Sequence, residues 1–140
     1  MDFEDVRVIE APAERVWAIL TDVERWPDWT PTMQEIVRLD AGPFRVGSSA
    51  RIIQPGGKPQ DWTVTELEEG RSFSWQTSTG GVRLIGRHLL TAAPNGTRTV
   101  NALTLAGPLG PIAGLILGRR TRRAITVESE ALARRVDRPF

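Results

Sequence analysis

Apolar and polar residues alternate over most of the chain between residues 33 and 105, a pattern typical of β-strands that bury one face. Clusters of Gly, Pro and Asn interrupt the alternation every few residues. Short turns therefore link successive strands, and this organisation predicts an antiparallel meander. The predicted strands are residues 3–9, 33–40, 48–54, 62–67, 71–77, 82–93 and 98–105.

A helical period replaces the alternation elsewhere in the chain. Apolar residues recur at 16, 19, 20 and 23, which predicts an amphipathic helix with Pro12 in its first turn. Asp22 can cap a second short helix, which Pro27 would end. The segment 26–31 (WPDWTP) is expected to be a bent, non-helical connection. A long helix is predicted for residues 110–136.

Strands followed by one long helix predict an α+β fold, in which the terminal helix buries its apolar stripe against the inner face of the sheet. The alternation also assigns side chains to faces of each strand. It groups residues 33, 35, 37 and 39 on one face, and Phe73 with Trp75 on another. His88 shares its face with Leu84 and Leu90, which predicts that its side chain points inward. A chain of 140 residues is long enough for one domain with its own core.

The composition excludes several classes of site. The chain has no cysteine and a single histidine, which excludes disulfide scaffolds, thiolate sites and multi-histidine metal sites, and we predict neither a metal nor a cofactor. A formal net charge of +1 argues against a nucleic-acid partner. The acidic segment at residues 2–5 (DFED) is not a signal peptide, so we expect a cytoplasmic location. Gly56-Gly57-Lys58 lacks the rest of a phosphate loop.

Two of the five tryptophans, Trp26 and Trp29, lie within the segment 26–31. Large amphipathic rings on a bent connection beside a sheet have two interpretations. Both rings seal the end of the core, or Trp29 forms part of the entrance to a cavity while Asp28 is exposed to solvent.

Short motifs over nearly the whole chain resemble the START-like superfamily, also called SRPBCC, and within it the polyketide cyclase/dehydrase-like group. The motifs are APAERVW at 11–17, WPDW at 26–29, WTV at 62–64, FSW at 73–75, GTR at 96–98 and GPL at 107–109. The resemblance implies a helix-grip fold, in which a curved seven-stranded antiparallel sheet wraps around the long C-terminal helix. It also implies a deep cavity between sheet and helix, and one START-like ligand-binding domain over residues 1–140.

The candidate ligand-binding residues of such a cavity are Trp29, Arg51, Trp62, Trp75 and Leu90. The tryptophans and Leu90 would supply apolar surface, although the same residues could serve only as packed core. Arg51 lies between Ala50 and Ile52 in a predicted strand, and an inward arginine there would need an anion or a carbonyl to offset its desolvation.

His88 is the candidate catalytic residue. A lone histidine on an apolar strand face is more often a satisfied core residue than a catalyst. Facing a ligand, it would orient a carbonyl or act as a general base.

Three functional hypotheses follow. The first is a binding module for a small hydrophobic or aromatic molecule such as a polyketide, a lipid or an isoprenoid. The second is a polyketide cyclase/dehydrase-type enzyme, for which the absence of tyrosine and the single histidine leave few acid–base groups. The third is a protein–protein interaction module that uses an exposed apolar patch at residues 109–117. The oligomeric state stays open, with a homodimer as one alternative.

The last predicted helix has an unusual first half. Gly110, Gly114 and Gly118 recur every four residues, which indicates either close packing against a neighbouring element or room for a ligand. The apolar run 111–117 is too short to span a bilayer, so we expect no stable membrane insertion. Arginines follow at 119, 120, 122 and 123. This run could touch an anionic membrane surface, but a solvated helix face is the preferred interpretation.

Overall fold

The computed structural model describes residues 1–137. Its first helices follow the first strand, six further strands come next, and a helix of 27 residues ends the described chain. In chain order the elements are β1 (Asp2–Ile9), α1 (Ala13–Thr21), a 3₁₀ turn (Val23–Arg25), α2 (Trp26–Trp29), β2 (Glu35–Arg38), β3 (Ser49–Ile53), β4 (Gln60–Glu68), β5 (Ser72–Thr79), β6 (Val82–Ala93), β7 (Gly96–Ala106) and α3 (Gly110–Val136).

The seven strands form one sheet in the order β1-β7-β6-β5-β4-β3-β2, and every neighbouring pair is antiparallel. Helix α3 packs against β1 and β7, and its buried residues recur at helical spacing from Ile125 through Ser129 and Leu132 to Val136. The seven-stranded sheet and the terminal helix confirm the predicted helix-grip architecture. None of the helices within residues 1–137 combines the length and apolar content that a membrane span requires.

The expectation that residues 26–31 are non-helical is wrong for the first four of them. Trp26–Trp29 forms one turn of helix, and the amide of Thr30 donates to the carbonyl oxygen of Trp26. Pro27 lies in the first turn, where a backbone donor would have no partner within the helix, so its missing N–H costs little. The predicted second helix before Pro27 is a single 3₁₀ turn.

The predicted strand 33–40 is shorter than expected, and residues 35, 37 and 39, which the alternation groups on one face, are exposed. Only Glu35–Arg38 pairs with β3, where Ile36 lies opposite Ile52. Both of these isoleucines are buried, whereas Val37 and Leu39 are exposed. Cross-strand register decides the face here, because burying Ile36 against Ile52 turns the odd-numbered side chains outward.

Candidate functional site

A cavity of about 610 Å³ lies between the inner face of the sheet and α3. This volume falls in the range of pockets that hold small organic ligands. Some lining residues are exposed to solvent, namely Gln54 to Gly57 in the β3–β4 connection and Leu117 and Arg120 in α3. The cavity therefore opens between these two segments. The other lining residues are Trp26, Thr32, Met33, Ile52, Trp62, Trp75, Thr79, Val82, Leu84, Gly86, His88, Asn101, Ala102, Leu103, Leu105, Ala113, Thr121, Ala124, Ile125 and Glu128.

Tryptophan rings form one wall of the cavity. The rings of Trp62 and Trp75 are 5.7 Å apart between centroids, and Trp26 meets Trp75 edge-on at 5.5 Å. Gly86 in β6 makes this arrangement possible, because a Cβ atom there would lie 3.2 Å from Cδ1 and Nε1 of Trp75. A glycine within a strand often marks such a close approach. The tryptophan wall therefore requires glycine, which has no side chain, at residue 86.

Polar side chains converge at another part of the cavity lining. His88 in β6 and Asn101 in β7 are register partners and both line the cavity. Across from them on α3, Glu128 accepts hydrogen bonds from Oγ1 of Thr32 at 3.3 Å and from Nδ2 of Asn101 at 3.5 Å. Strands β6 and β7, helix α3 and the segment after α2 each contribute one side chain to this cluster.

Burial raises the pKa of the Glu128 carboxyl from 4.5 to about 7, and the hydrogen bonds from Thr32 and Asn101 oppose that shift. The side chain is half-buried by surface area because part of it faces the cavity. A carboxyl group with this pKa is present in both protonation states near neutral pH, so it can donate a proton to a bound molecule or accept one.

The imidazole of His88 is enclosed by aromatic rings. It stacks on Phe73 with 4.8 Å between ring centroids and meets Trp26 edge-on at 5.4 Å. Burial lowers the pKa of this imidazole to about 4. The ring is therefore neutral at pH 7, with one nitrogen able to donate and the other able to accept a hydrogen bond. Within residues 1–137, no group of His, Asp and Glu side chains could hold a metal ion.

Three of the site residues predicted from the sequence lie together on the cavity wall, namely Trp62, Trp75 and His88. Trp29 and Leu90 are placed elsewhere. They line a separate void of about 10 Å³, which His88 also lines and which has room for about one water molecule. The hypothesis that Trp29 and Leu90 present surface to a ligand in the main cavity is therefore not supported. Trp29 packs against Trp26, with ring centroids 5.9 Å apart, and does not line the main cavity.

The prediction that Arg51 faces inward as a pocket cation is wrong. In β3 the buried residues are Ala50 and Ile52, so the side chain between them points to the outer face of the sheet. There, Nε of Arg51 donates to Oδ1 of Asp61 at 2.9 Å, and Nη2 donates to Oδ2 at 3.1 Å. This exposed, bidentate ion pair raises the pKa of Arg51 and lowers that of Asp61.

The sequence did not identify Glu128, Thr32 or Gly86 as site residues, and strand parity left the orientation of Asn101 open. Two of these had a signal. Glu128 interrupts an apolar stripe of α3 between Ala124, Ile125 and Leu132, and Gly86 interrupts the longest strand. Thr32 lies outside any regular element, and no periodicity could have found it.

Comparison with known proteins adds three solved structures with the same fold. The Zhui aromatase/cyclase from Streptomyces sp. R1128 has 18% sequence identity and a TM-score of 0.79, covering 99% of this chain and 94% of that chain. A START superfamily protein from Mycobacterium smegmatis has 17% identity and a TM-score of 0.79, with 97% of both chains covered. TTHA0849 from Thermus thermophilus has 19% identity and a TM-score of 0.77, again with 97% of both covered. No curated protein sequence matches this chain.

At these identities the structures establish a shared fold and nothing about activity. The family model described as polyketide cyclase/dehydrase and lipid transport matches residues 1–137. The chain therefore belongs to the polyketide cyclase/dehydrase and lipid transport family and has the helix-grip fold of the START/Bet v 1 (SRPBCC) superfamily.

Proposed function

We propose that residues 1–140 act as one ligand-binding domain that holds a small hydrophobic or aromatic molecule, such as a polyketide, a lipid or an isoprenoid, between the sheet and α3. The observation that carries the proposal is the cavity of about 610 Å³, with tryptophan rings along its wall and a few polar groups converging at His88, Asn101 and Glu128. Family membership supports a role in hydrophobic-ligand binding or in cyclisation.

The residues of the cavity divide into two roles. Each 100 Å² of apolar ligand surface buried against Trp62, Trp75 and their neighbours contributes about 2.5 kcal/mol before association costs. Asn101, Glu128 and neutral His88 then orient the ligand, since a carbonyl or hydroxyl group placed there satisfies donors and acceptors that otherwise face the cavity.

The direct test is to fill the cavity. Ala124 lines it, whereas Ala18 in α1 is exposed, so A124F and A18F add the same side chain inside and outside the proposed site. Binding is measured by the fluorescence of anilinonaphthalene sulfonate, and by thermal shift and native mass spectrometry with fused-ring aromatics and fatty acids. We expect A124F to fold and to lose binding, while A18F binds like the wild type. Equal binding by both variants, or no ligand in any assay, would contradict the proposal.

A cyclase/dehydrase activity is the second candidate, and Glu128 favours it. A carboxyl group with a pKa of about 7 can remove a proton from an activated carbon and protonate a departing hydroxyl group near neutral pH. Neutral His88 lines the same cavity and can accept a hydrogen bond from the reacting molecule. The cavity would fold a flexible polyketone chain so that carbon and carbonyl meet.

The enzymatic candidate is tested with a synthetic aryl-terminated polyketone. Cyclisation followed by dehydration removes one water from the substrate, which mass spectrometry detects. We expect E128Q to lose turnover while retaining most of the affinity, because Gln keeps the shape and hydrogen-bonding capacity but cannot transfer the proton. If both E128Q and H88Q keep their turnover, neither residue is the acid–base group of the reaction.

A further inference from the structure

The outer face of the first half of α3 carries apolar side chains that no other part of residues 1–137 covers. Leu115 is 79% exposed, Ile116 is 74% exposed and Ile112 is 54% exposed. Their helical spacing continues into Arg119, Arg122 and Arg123, so all six side chains lie along one side of the helix. We call these six residues the outer face of α3. Single exposed apolar residues need no explanation, but a contiguous group does.

Arginine side chains lie next to these apolar residues, and no acidic residue of the same segment neutralises their charge. Residues 119–123 contain four arginines, and no Asp or Glu occurs between residues 110 and 127. Within the described chain, none of these arginines forms an ion pair. The guanidinium of Arg122 lies 5.4 Å from the ring centroid of Phe3 in β1. The acids that flank this phenylalanine, Asp2 and Glu4, are not paired with Arg122 either.

We propose that the outer face of α3 docks on the surface of an anionic lipid bilayer. Helix rise places Arg119 about 10 Å along the axis from Ile112. An interfacial helix buries its apolar side chains to a similar depth below the lipid headgroups. With the first two turns inserted obliquely, the arginines therefore reach the level of the phosphates, where each basic residue strengthens binding about fivefold.

The charge pattern favours a bilayer over a second copy of the chain. A symmetric dimer through this face would bring the arginines of both copies into one interface, where no Asp or Glu of residues 110–127 could pair with them. Like charges brought together in this way oppose association, whereas an anionic lipid surface supplies opposite charge over the whole area of contact. A neutral bilayer would offer only the apolar part of the interaction.

The docked surface would adjoin the cavity opening. Leu117 and Arg120 lie on the same two turns of α3 and line the cavity, and Lys58 follows the glycines on the opposite side of the opening. Docking would therefore bring the opening close to the headgroups, from which a bilayer-resident ligand could enter. This last step rests on the proposed binding function, whereas docking itself does not.

Docking is tested by co-sedimentation of the full chain with phosphatidylcholine vesicles that contain or lack phosphatidylserine. We expect binding only to the anionic vesicles, weakening as salt is raised. L115E/I116E and R119E/R123E should each lower the partition coefficient at least about tenfold. V8E/V37E and R83E/R98E alter exposed residues of the sheet in the same chemical way and should bind like the wild type.

Several results would overturn docking. They are absence of binding to anionic vesicles, equal loss in the control variants, and a dimer in analytical ultracentrifugation that L115E/I116E dissociates. Capture of an acidic protein through this face without vesicle binding would likewise replace the bilayer as the partner. The A124F variant separates the two proposals, because it should lose ligand in the cavity and still bind vesicles. Failure of docking with intact ligand binding leaves the proposed function standing.

Discussion

Asn101 in β7 donates a hydrogen bond to Glu128 in α3, with 3.5 Å between Nδ2 and Oε1. The bond joins the sheet to the helix at the polar part of the cavity, and the register partner of Asn101 is His88. A carboxyl group, an amide and a neutral imidazole are therefore grouped on an otherwise largely apolar lining. The shifted pKa values of the carboxyl and the imidazole therefore make the stability of the fold depend on pH.

Glu128 and His88 should contribute to the pH dependence of the free energy of unfolding with opposite signs. The pKa of Glu128 is raised from 4.5 to about 7 in the folded protein, so its contribution to stability is lost as the pH rises through that window. The pKa of His88 is lowered from 6.5 to about 4, so its contribution is lost as the pH falls through that window. Each effect amounts to at most about 3 kcal/mol.

Single variants should reveal the two effects in urea unfolding at a series of pH values. Relative to wild type, E128Q should lose stability as the pH falls from 7 to 4.5, because only the histidine effect remains. H88Q should gain relative stability over the same interval, because only the carboxyl effect remains. Curves that stay parallel to the wild type would show that neither group titrates abnormally.

Removing the amide of Asn101 should raise the pKa of Glu128 above about 7, because its hydrogen bond favours the ionised carboxyl. The variant N101L keeps the approximate side-chain volume, and an NMR titration of the Glu128 carboxyl carbon measures the shift. N95L, in the exposed β6–β7 hairpin turn, is the control and should leave that titration unchanged. An unchanged pKa in N101L would mean that the bond does not form in solution.

A side chain at residue 86 should displace the tryptophan wall. In G86V the new methyl groups collide with Trp75, whose ring would move into the cavity. We expect a changed near-ultraviolet circular dichroism spectrum and weaker binding of anilinonaphthalene sulfonate. T91V places a valine on the exposed face of the same strand and serves as the control. Unchanged ligand binding in G86V would place the binding site elsewhere.

The glycines at the start of α3 should differ in their tolerance of alanine. A Cβ at residue 110 would lie 2.7 Å from the carbonyl oxygen of Leu105, so G110A should lower the free energy of unfolding by about 1–3 kcal/mol. A Cβ at residue 118 would only touch the ring of Phe3 at 3.7 Å, so G118A should raise it by up to about 1 kcal/mol through helix propensity. Urea unfolding compares the two, and equal effects would contradict the packing account.

Removing the exposed ion pair on the sheet should not affect the cavity. Arg51 and Asp61 face outward from β3 and β4, so R51A should bind anilinonaphthalene sulfonate with wild-type affinity. The same measurement on W62A, whose ring lines the cavity, provides the contrast. A reduced affinity of R51A for anilinonaphthalene sulfonate would show that Arg51 contributes to ligand binding.

Local patterns were sufficient for much of the fold. Alternation over residues 71–77 put Phe73 and Trp75 on one face, both of which are buried, and the same rule turned His88 inward. At residues 33–40 the alternation grouped the side chains but left the inner face undecided, because the pattern is compatible with either face until a partner strand sets the register. Parity likewise could not decide that Arg51 faces away from the cavity.

By itself, the sequence determined the element order, the antiparallel meander, the terminal helix and the apolar character of the interior, because these follow from periodicities of two and 3.6 residues and from turn residues. Only the tertiary structure decided that Thr32, Asn101 and Glu128 meet, since they lie far apart in the chain and come together through the packing of α3 on the sheet. It also decided that the space between the tryptophan wall and the helix stays open, because an empty volume is a property of packed surfaces and has no counterpart in a pattern of residues.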